Sequence, residues 1–386
     1  MSKSQTVSPM NRNNELRFSE EQAMILDSAR EFCRDKSPIA AVRALLDSET
    51  GFDEKVWQEM VDLGWLGLAI PEQYGGSGLG IGSAIGLVEC MGRHLLSTPF
   101  IPSTLAAQAL LRAGTSSQKE DWLPRLAAGS VATLALLDGG DWGDTETLCS
   151  ASRDGDKISL SGQKWYVSDA GVAELILVQC QLDGQAVLVM VEAASLPADA
   201  LQSHVLLDET RRGAKLTLDG ISVAADACLD PSATSDTLRD LRLLGALLYA
   251  AEATGSTAAC LDTVVDYLKT RKQFGKLIGS YQALKHPTVD ILLGLDAARS
   301  LIYHAATIIG DEVLDEDAEI ACRMAKATAG DALAFAGDRA VQFHGGMGFT
   351  YECDAQLYIR RGQWMQQQFG DALHHRKRLA PLLLDA

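Results

Sequence analysis

Three Asp-Gly pairs, Asp154-Gly155, Asp183-Gly184 and Asp219-Gly220, are each flanked by short runs rich in β-branched residues. Asp-Gly supplies the left-handed backbone that a two-residue hairpin needs. VATLALLD, KISLSGQKWYVSD, ELILVQCQ, QAVLVMVEA and AKLTLDGISV therefore read as strands of one β-rich region, residues 131–233. On either side of that region the apolar period is helical. Ser19 with Gln22 forms a capping box ahead of Ile25, Ala29, Phe32 and Cys33. FDEKVWQEMVDLGW, IGSAIGLVECMGRHLL, STLAAQALLRAG and KEDWLPRLAAG continue as helices, interrupted by the glycine-rich IPEQYGGSGLG. From Asp236 the chain turns to long Ala- and Leu-rich helices, beginning with LRDLRLLGALLYAAEATGSTAACLDTVVDYLKTR. The expectation is an α+β chain in three parts: helical residues 1–130, β residues 131–233, and a helical bundle over 234–386.

Charge limits the partners. A formal net charge of −17 over 386 residues opposes binding to nucleic acid or to an anionic membrane, both of which need a basic field. No run of about eighteen apolar residues suits a membrane span, and the polar start lacks a signal core. Eight cysteines lie singly, with no CxxC pair, as expected of reduced thiols in a cytoplasmic protein without a metal site.

Two segments of the last region carry chemistry. In TRKQFGKLIGSYQ, Arg271 closes a long helix beside Phe274 and Gly275, where a guanidinium fork can meet a phosphate. In QFHGGMGFTYE, Gln342 precedes Gly345 and Gly346, whose backbone lets a flat or phosphorylated ligand approach. Taken singly, the first equally suits a solvated helix cap and the second a tight turn between helices.

Together, and in this order, these segments resemble the acyl-CoA dehydrogenase family along almost the whole chain. IPEQYGGSGLG is similar to that family's glycine-rich loop, SGQKWYVSDAG to its flavin-facing strand, and RKQFG…Q (ending at Gln282) and QFHGGMGFTYE to its two C-terminal signatures. The resemblance implies an N-terminal helical domain, a β-barrel-like middle domain and a C-terminal four-helix bundle. It also implies FAD bound at a subunit interface, an acyl-CoA substrate desaturated at Cα–Cβ, a tetrameric assembly, and an electron-transfer flavoprotein as acceptor. Ser168, beside Tyr166 and Val167, would lie near flavin N5. Arg271, Phe274, Gln342, Gly345 and Gly346 would reach the flavin of a neighbouring chain. His344 reads as structural.

The chain departs from the family where the base belongs. Counted from Arg360, the family's glutamate falls at Phe369, followed by Gly370 and Asp371. The alternative position on an earlier helix falls at Gly245. LALLDGGDWGDTE, from Leu134, replaces the family's T-E-P-x-x-G-S-D. With the outward loops kept and the inner pocket altered, the chain resembles the base-lacking subunit of heteromeric dehydrogenases acting on steroid side-chain CoA thioesters. Two alternatives stand beside that expectation. One is a homo-oligomeric flavoenzyme, including oxidase- or monooxygenase-type relatives, with a base relocated to Asp371 or Glu252. The other is a non-catalytic thioester-binding or assembly protein.

Overall fold

The computed structural model describes residues 20–142, 147–310 and 313–384. Ser19 of the expected capping box lies outside them, as do residues 143–146 of the altered LALLDGGDWGDTE segment.

Six helices precede the first strand: α1 (Glu20–Lys36), α2 (Ile39–Ala44), α3 (Glu54–Asp62), α4 (Ala84–Arg93), α5 (Phe100–Ala113) and α6 (Ser116–Ala127). Local chemistry starts two of them. The Asp53 carboxylate accepts from the Lys55 amide at 2.8 Å and opens α3, and Thr115 with Gln118 forms a reciprocal capping box for α6.

The middle region holds β1 (Ala132–Ala135), β2 (Ser150–Asp154), β3 (Lys157–Ser161), β4 (Gln163–Ser168), β5 (Leu175–Leu182), β6 (Gln185–Glu192), β7 (Leu201–Ser203), β8 (Gly213–Thr217) and β9 (Ser222–Ala224). They form a six-stranded sheet in which β6 pairs with β5 along the order β1-β5-β2-β3-β9, and a three-stranded sheet β4-β8-β7. Asp154-Gly155 and Asp183-Gly184 close the antiparallel β2–β3 and β5–β6 hairpins. Asp219-Gly220 departs from expectation, because β8 and β9 belong to different sheets. That turn carries the chain across, and the Asp219 carboxylate accepts from the Ser161 hydroxyl at 2.7 Å and the Gly162 amide at 3.0 Å.

The last region contains α7 (Pro231–Thr270), a small β10–β11 hairpin (Lys272–Gln273 with Lys276–Leu277), α8 (Gln282–Ile308), α9 (Glu316–Phe343), α10 (Ala355–Gln367) and α11 (Ala372–Leu384). Against the N-terminal helices, α7 packs backbone to backbone. A Cβ at Gly255 would sit 1.8 Å from the Glu89 carbonyl oxygen, and one at Gly92 would sit 2.0 Å from that of Glu252. Only glycine permits so close an approach, and it fixes Glu252 in the interior. No helix among the described residues is long and apolar enough to cross a membrane.

Candidate functional site

Phe369 and Gly245, the two positions that the family resemblance points to for a base, meet in space. Between α10 and α11, Phe369 takes a left-handed backbone (φ 57°) followed by Gly370 (φ 97°). This turn aims the Phe369 ring at α7, where a Cβ on Gly245 would lie 2.6–2.7 Å from its carbons. Trp142, from the altered segment, packs on the same ring with centroids 4.3 Å apart, and Tyr249 follows at 5.8 Å. Phe369 is buried. Both departures from the family pattern thus join in one aromatic plug.

Buried polar groups hold that turn. Lys326 on α9 donates to the Met365 carbonyl at 2.5 Å, capping the end of α10, and burial lowers its pKa to about 7. His375 lies 3.0 Å from the Phe369 carbonyl through Nε2. Burial, then the neighbouring Lys326, pushes its pKa down to about 3. The ring is therefore neutral, and Nε2–H is the donor to that carbonyl. Asp371, proposed from sequence as a relocated base, accepts the His374 amide at 2.7 Å and caps α11.

Behind Ser168 lies a fully buried charged cluster. Arg361 on α10, wholly buried, donates to Asp208 at 2.5 Å, to Glu252 at 2.5 Å and to the Thr210 hydroxyl. Arg211 pairs with the same Glu252 oxygen. Tyr249 is buried beside Ser168, close to Arg211 and Glu252. Asp169, next in sequence, is raised by burial to about 6 against the pull of Arg211 and Arg212. Glu252, the second candidate base, is held by two guanidinium groups at 1% exposure. Both guanidinium groups contact one oxygen, Oε1, and Oε2 has no hydrogen-bond partner among the described residues. Glu252 thus lies in a buried ion-pair network.

Sequence reasoning missed this cluster, although a signal existed. Arg361 lies three and four residues from Tyr358, Leu357 and Met365, on the face of α10 that is buried. A charge on an apolar stripe marks a buried ion pair. Its neighbour Arg360, on the other face, pairs with Glu209 at 2.9 Å.

The remaining sequence-derived residues gather at one end of the bundle. Arg271 is the C-cap of α7. Phe274 and Gly275 (φ 52° and 76°) make the tip of the β10–β11 hairpin, with Phe274 91% exposed. Gln342 lies on the last turn of α9, ahead of exposed Gly345 and Gly346. His344 joins the two loops: its ring stacks on Tyr267 of α7 at 4.1 Å, and Nδ1 lies 2.7 Å from the Ala340 carbonyl. Arg271 has no ion-pair partner among the described residues. Met347 and Phe349 extend the exposed surface beyond the glycines.

Comparison with known proteins decides the family. The acyl-CoA dehydrogenase N-terminal domain matches residues 19–130, and the acyl-CoA dehydrogenase C-terminal domain matches residues 243–380. Acyl-CoA dehydrogenase IpdE2 of Mycobacterium tuberculosis is 30% identical over 90% of this chain and 92% of its own length. The chain belongs to the acyl-CoA dehydrogenase family. Members of the family are FAD-dependent oxidoreductases acting on the CH–CH bond of acyl-CoA. Among solved structures, the Tcur3481–Tcur3483 steroid ACAD variant is 30% identical, with a TM-score of 0.84 over 95% of this chain and 98% of that one. The ChsE4–ChsE5 complex of Mycobacterium tuberculosis shares the acyl-CoA dehydrogenase fold at 24% identity, with a TM-score of 0.87 over 96% of this chain and 99% of that one.

Proposed function

We propose that this chain is the base-lacking subunit of a heteromeric acyl-CoA dehydrogenase and completes the flavin site of a related catalytic chain. The observation that carries the reading is the plug: Phe369 fills the space over Gly245, and Trp142 closes it. A phenyl ring cannot take the α-proton of a thioester, and the space for that carbon is filled by side chains.

The fit to FAD divides in the same way. FAD supplies the hydride acceptor for the family's reaction. In this chain the region behind Ser168 is filled by Arg211, Glu252, Arg361 and Asp208, paired with one another although Arg211 Nε and Glu252 Oε2 have no hydrogen-bond partner among the described residues, and this charged interior suits a flavin ring of its own poorly. The outer loops fit better. Arg271 offers a guanidinium fork and Gln342 an amide. Gly345 and Gly346 offer an open backbone, where a methyl added at either glycine would meet no atom within 4 Å. These groups suit the adenosine and pyrophosphate of a neighbour's cofactor. The two-component name of the steroid ACAD relative supports a two-chain assembly, and a bulky steroid side-chain CoA thioester is the substrate class we assign. An electron-transfer flavoprotein is the proposed acceptor, and the N-terminal, β and bundle parts are proposed to divide at 130/131 and 233/234.

The test is co-purification with a related catalytic chain, with Arg271→Ala and Gln342→Ala made in this chain. Each variant should lower the flavin bound by the complex at least tenfold while leaving this chain's own unfolding temperature unchanged, since both residues lie at the open end of the bundle. Unaltered flavin binding in the double variant would contradict the reading.

A further inference from the structure

Gly345 and Gly346 lie between fixed points. His344, before them, stacks on Tyr267. After them the backbone presses against α9, where a Cβ on Gly348 would lie 2.0 Å from the Val341 carbonyl oxygen. Glycine permits that approach but brings no side chain to hold it. The hold comes from Tyr351, 59% exposed and gripped from three parts of the chain. Arg43, on the last turn of α2, donates to the Tyr351 carbonyl at 2.6 Å and to the Asp354 carboxylate at 2.8 Å. Arg360 on α10 donates to the Tyr351 hydroxyl at 3.2 Å, with its guanidinium carbon 5.0 Å from the ring centroid. That hydroxyl donates in turn to Glu209 at 3.3 Å, and Arg360 pairs with the other Glu209 oxygen at 2.9 Å. Glu209 belongs to the segment joining β7 to β8, where its neighbours Asp208 and Thr210 are held by Arg361 in the interior. Two successive arginines of α10 thus fix three successive residues of the β region, one at the surface and one from within.

We propose that Arg43, Glu209, Tyr351 and Arg360 are positioning residues, a clasp that fixes the Gly345–Gly346 backbone where a neighbouring chain's FAD can meet it. The four act through the loop and not on the cofactor. Adjacent glycines have the most backbone freedom to lose, and ordering them on binding costs affinity. A loop already held on both sides has less to lose. Exposed ion pairs contribute little to folding stability, so this clasp serves the geometry of the loop more than the stability of the fold. The inference rests on the flavin-sharing reading.

FAD binding to a two-chain complex stripped of flavin, followed by quenching of flavin fluorescence, tests it. Glu209→Arg and Arg360→Glu, each made in this chain, should each weaken FAD at least fivefold. The double variant, which restores the pair with its charges exchanged, should return to within twofold of the unaltered complex. The unfolding temperature of this chain alone should not move in any of the three. The sign at position 209 separates positioning from bulk charge. An added arginine would strengthen binding of an anionic cofactor if only the field mattered, whereas a released loop weakens it. Stronger binding by Glu209→Arg, no rescue in the double variant, or weakening matched by a fall in unfolding temperature would each overturn the proposal. Arg271→Ala, measured alongside, keeps the two readings apart. Weakening there with none at 209 or 360 defeats the clasp alone, and no weakening at any of the three positions defeats flavin sharing as well.

Discussion

At position 369 the backbone decides what the side chain does. A left-handed phenylalanine is costly in isolation. Here the turn is over-determined by Lys326, His375 and the Asp371 cap. The ring then takes the volume that a side chain at 245 would need. Gly245→Ala should destabilise the chain by about 1–3 kcal/mol through overpacking, and Phe369→Ala in the same molecule should recover most of that loss; denaturant titration of both variants checks it. Glu252→Gln separates a structural from a catalytic role. Breaking its buried pairs should cost about 3–5 kcal/mol, whereas turnover lost with stability intact would restore Glu252 as a base. Lys326 adds a pH dependence. Its folded pKa, about 7, lies below the unfolded value of 10.5, so between them the unfolded chain binds more protons and stability rises with pH. Below about pH 7 the buried charge must be carried in full. The stability difference between Lys326→Met and the unaltered chain should therefore favour the variant most below pH 7 and shift toward the unaltered chain as pH rises to 10. A difference flat over that range would contradict the assignment. That a phenylalanine stands nine residues after Arg360 was legible from spacing alone. That its ring reaches Gly245 was not, since side-chain direction depends on a positive φ that no residue pattern announces for phenylalanine.

Among the elements, α7 connects the features of the site. Its middle brings Gly245, Tyr249 and Glu252 to the interior, and its C-cap is Arg271. Helical period and the Asp230-Pro231 start make such a helix readable in sequence. The capping aspartate accepts from the Ser232 amide at 2.9 Å. Asp219-Gly220 was less readable: local turn chemistry is the same for a hairpin and for a crossing between sheets, and only long-range pairing of β9 with β3 separates them. Arg361 was hidden for a related reason, since an arginine pair on a helix reads as surface until each residue is assigned a face. The His344–Tyr267 stack ties the hairpin after α7 to the loop after α9. His344→Ala should loosen both loops together and weaken flavin retention by a two-chain complex about tenfold, with the bundle core unaffected in hydrogen exchange. Loss of core protection would show instead that the histidine supports the whole bundle.

For the whole molecule the contrast is between a filled interior and an open end. The interior charges pair with one another and the plug is apolar, so the chain folds around its own side chains. The exposed end presents Arg271, without an ion-pair partner among the described residues, with Gln342 and a glycine backbone, beside exposed Phe274, Met347 and Phe349. Exposed apolar surface of this kind marks an interface. The most direct measurement of this division is the flavin content of the chain purified alone and with a related catalytic chain. The account predicts a colourless chain alone and a yellow complex holding one FAD per pair of chains. One tightly bound FAD per chain in the purified protein alone would contradict it.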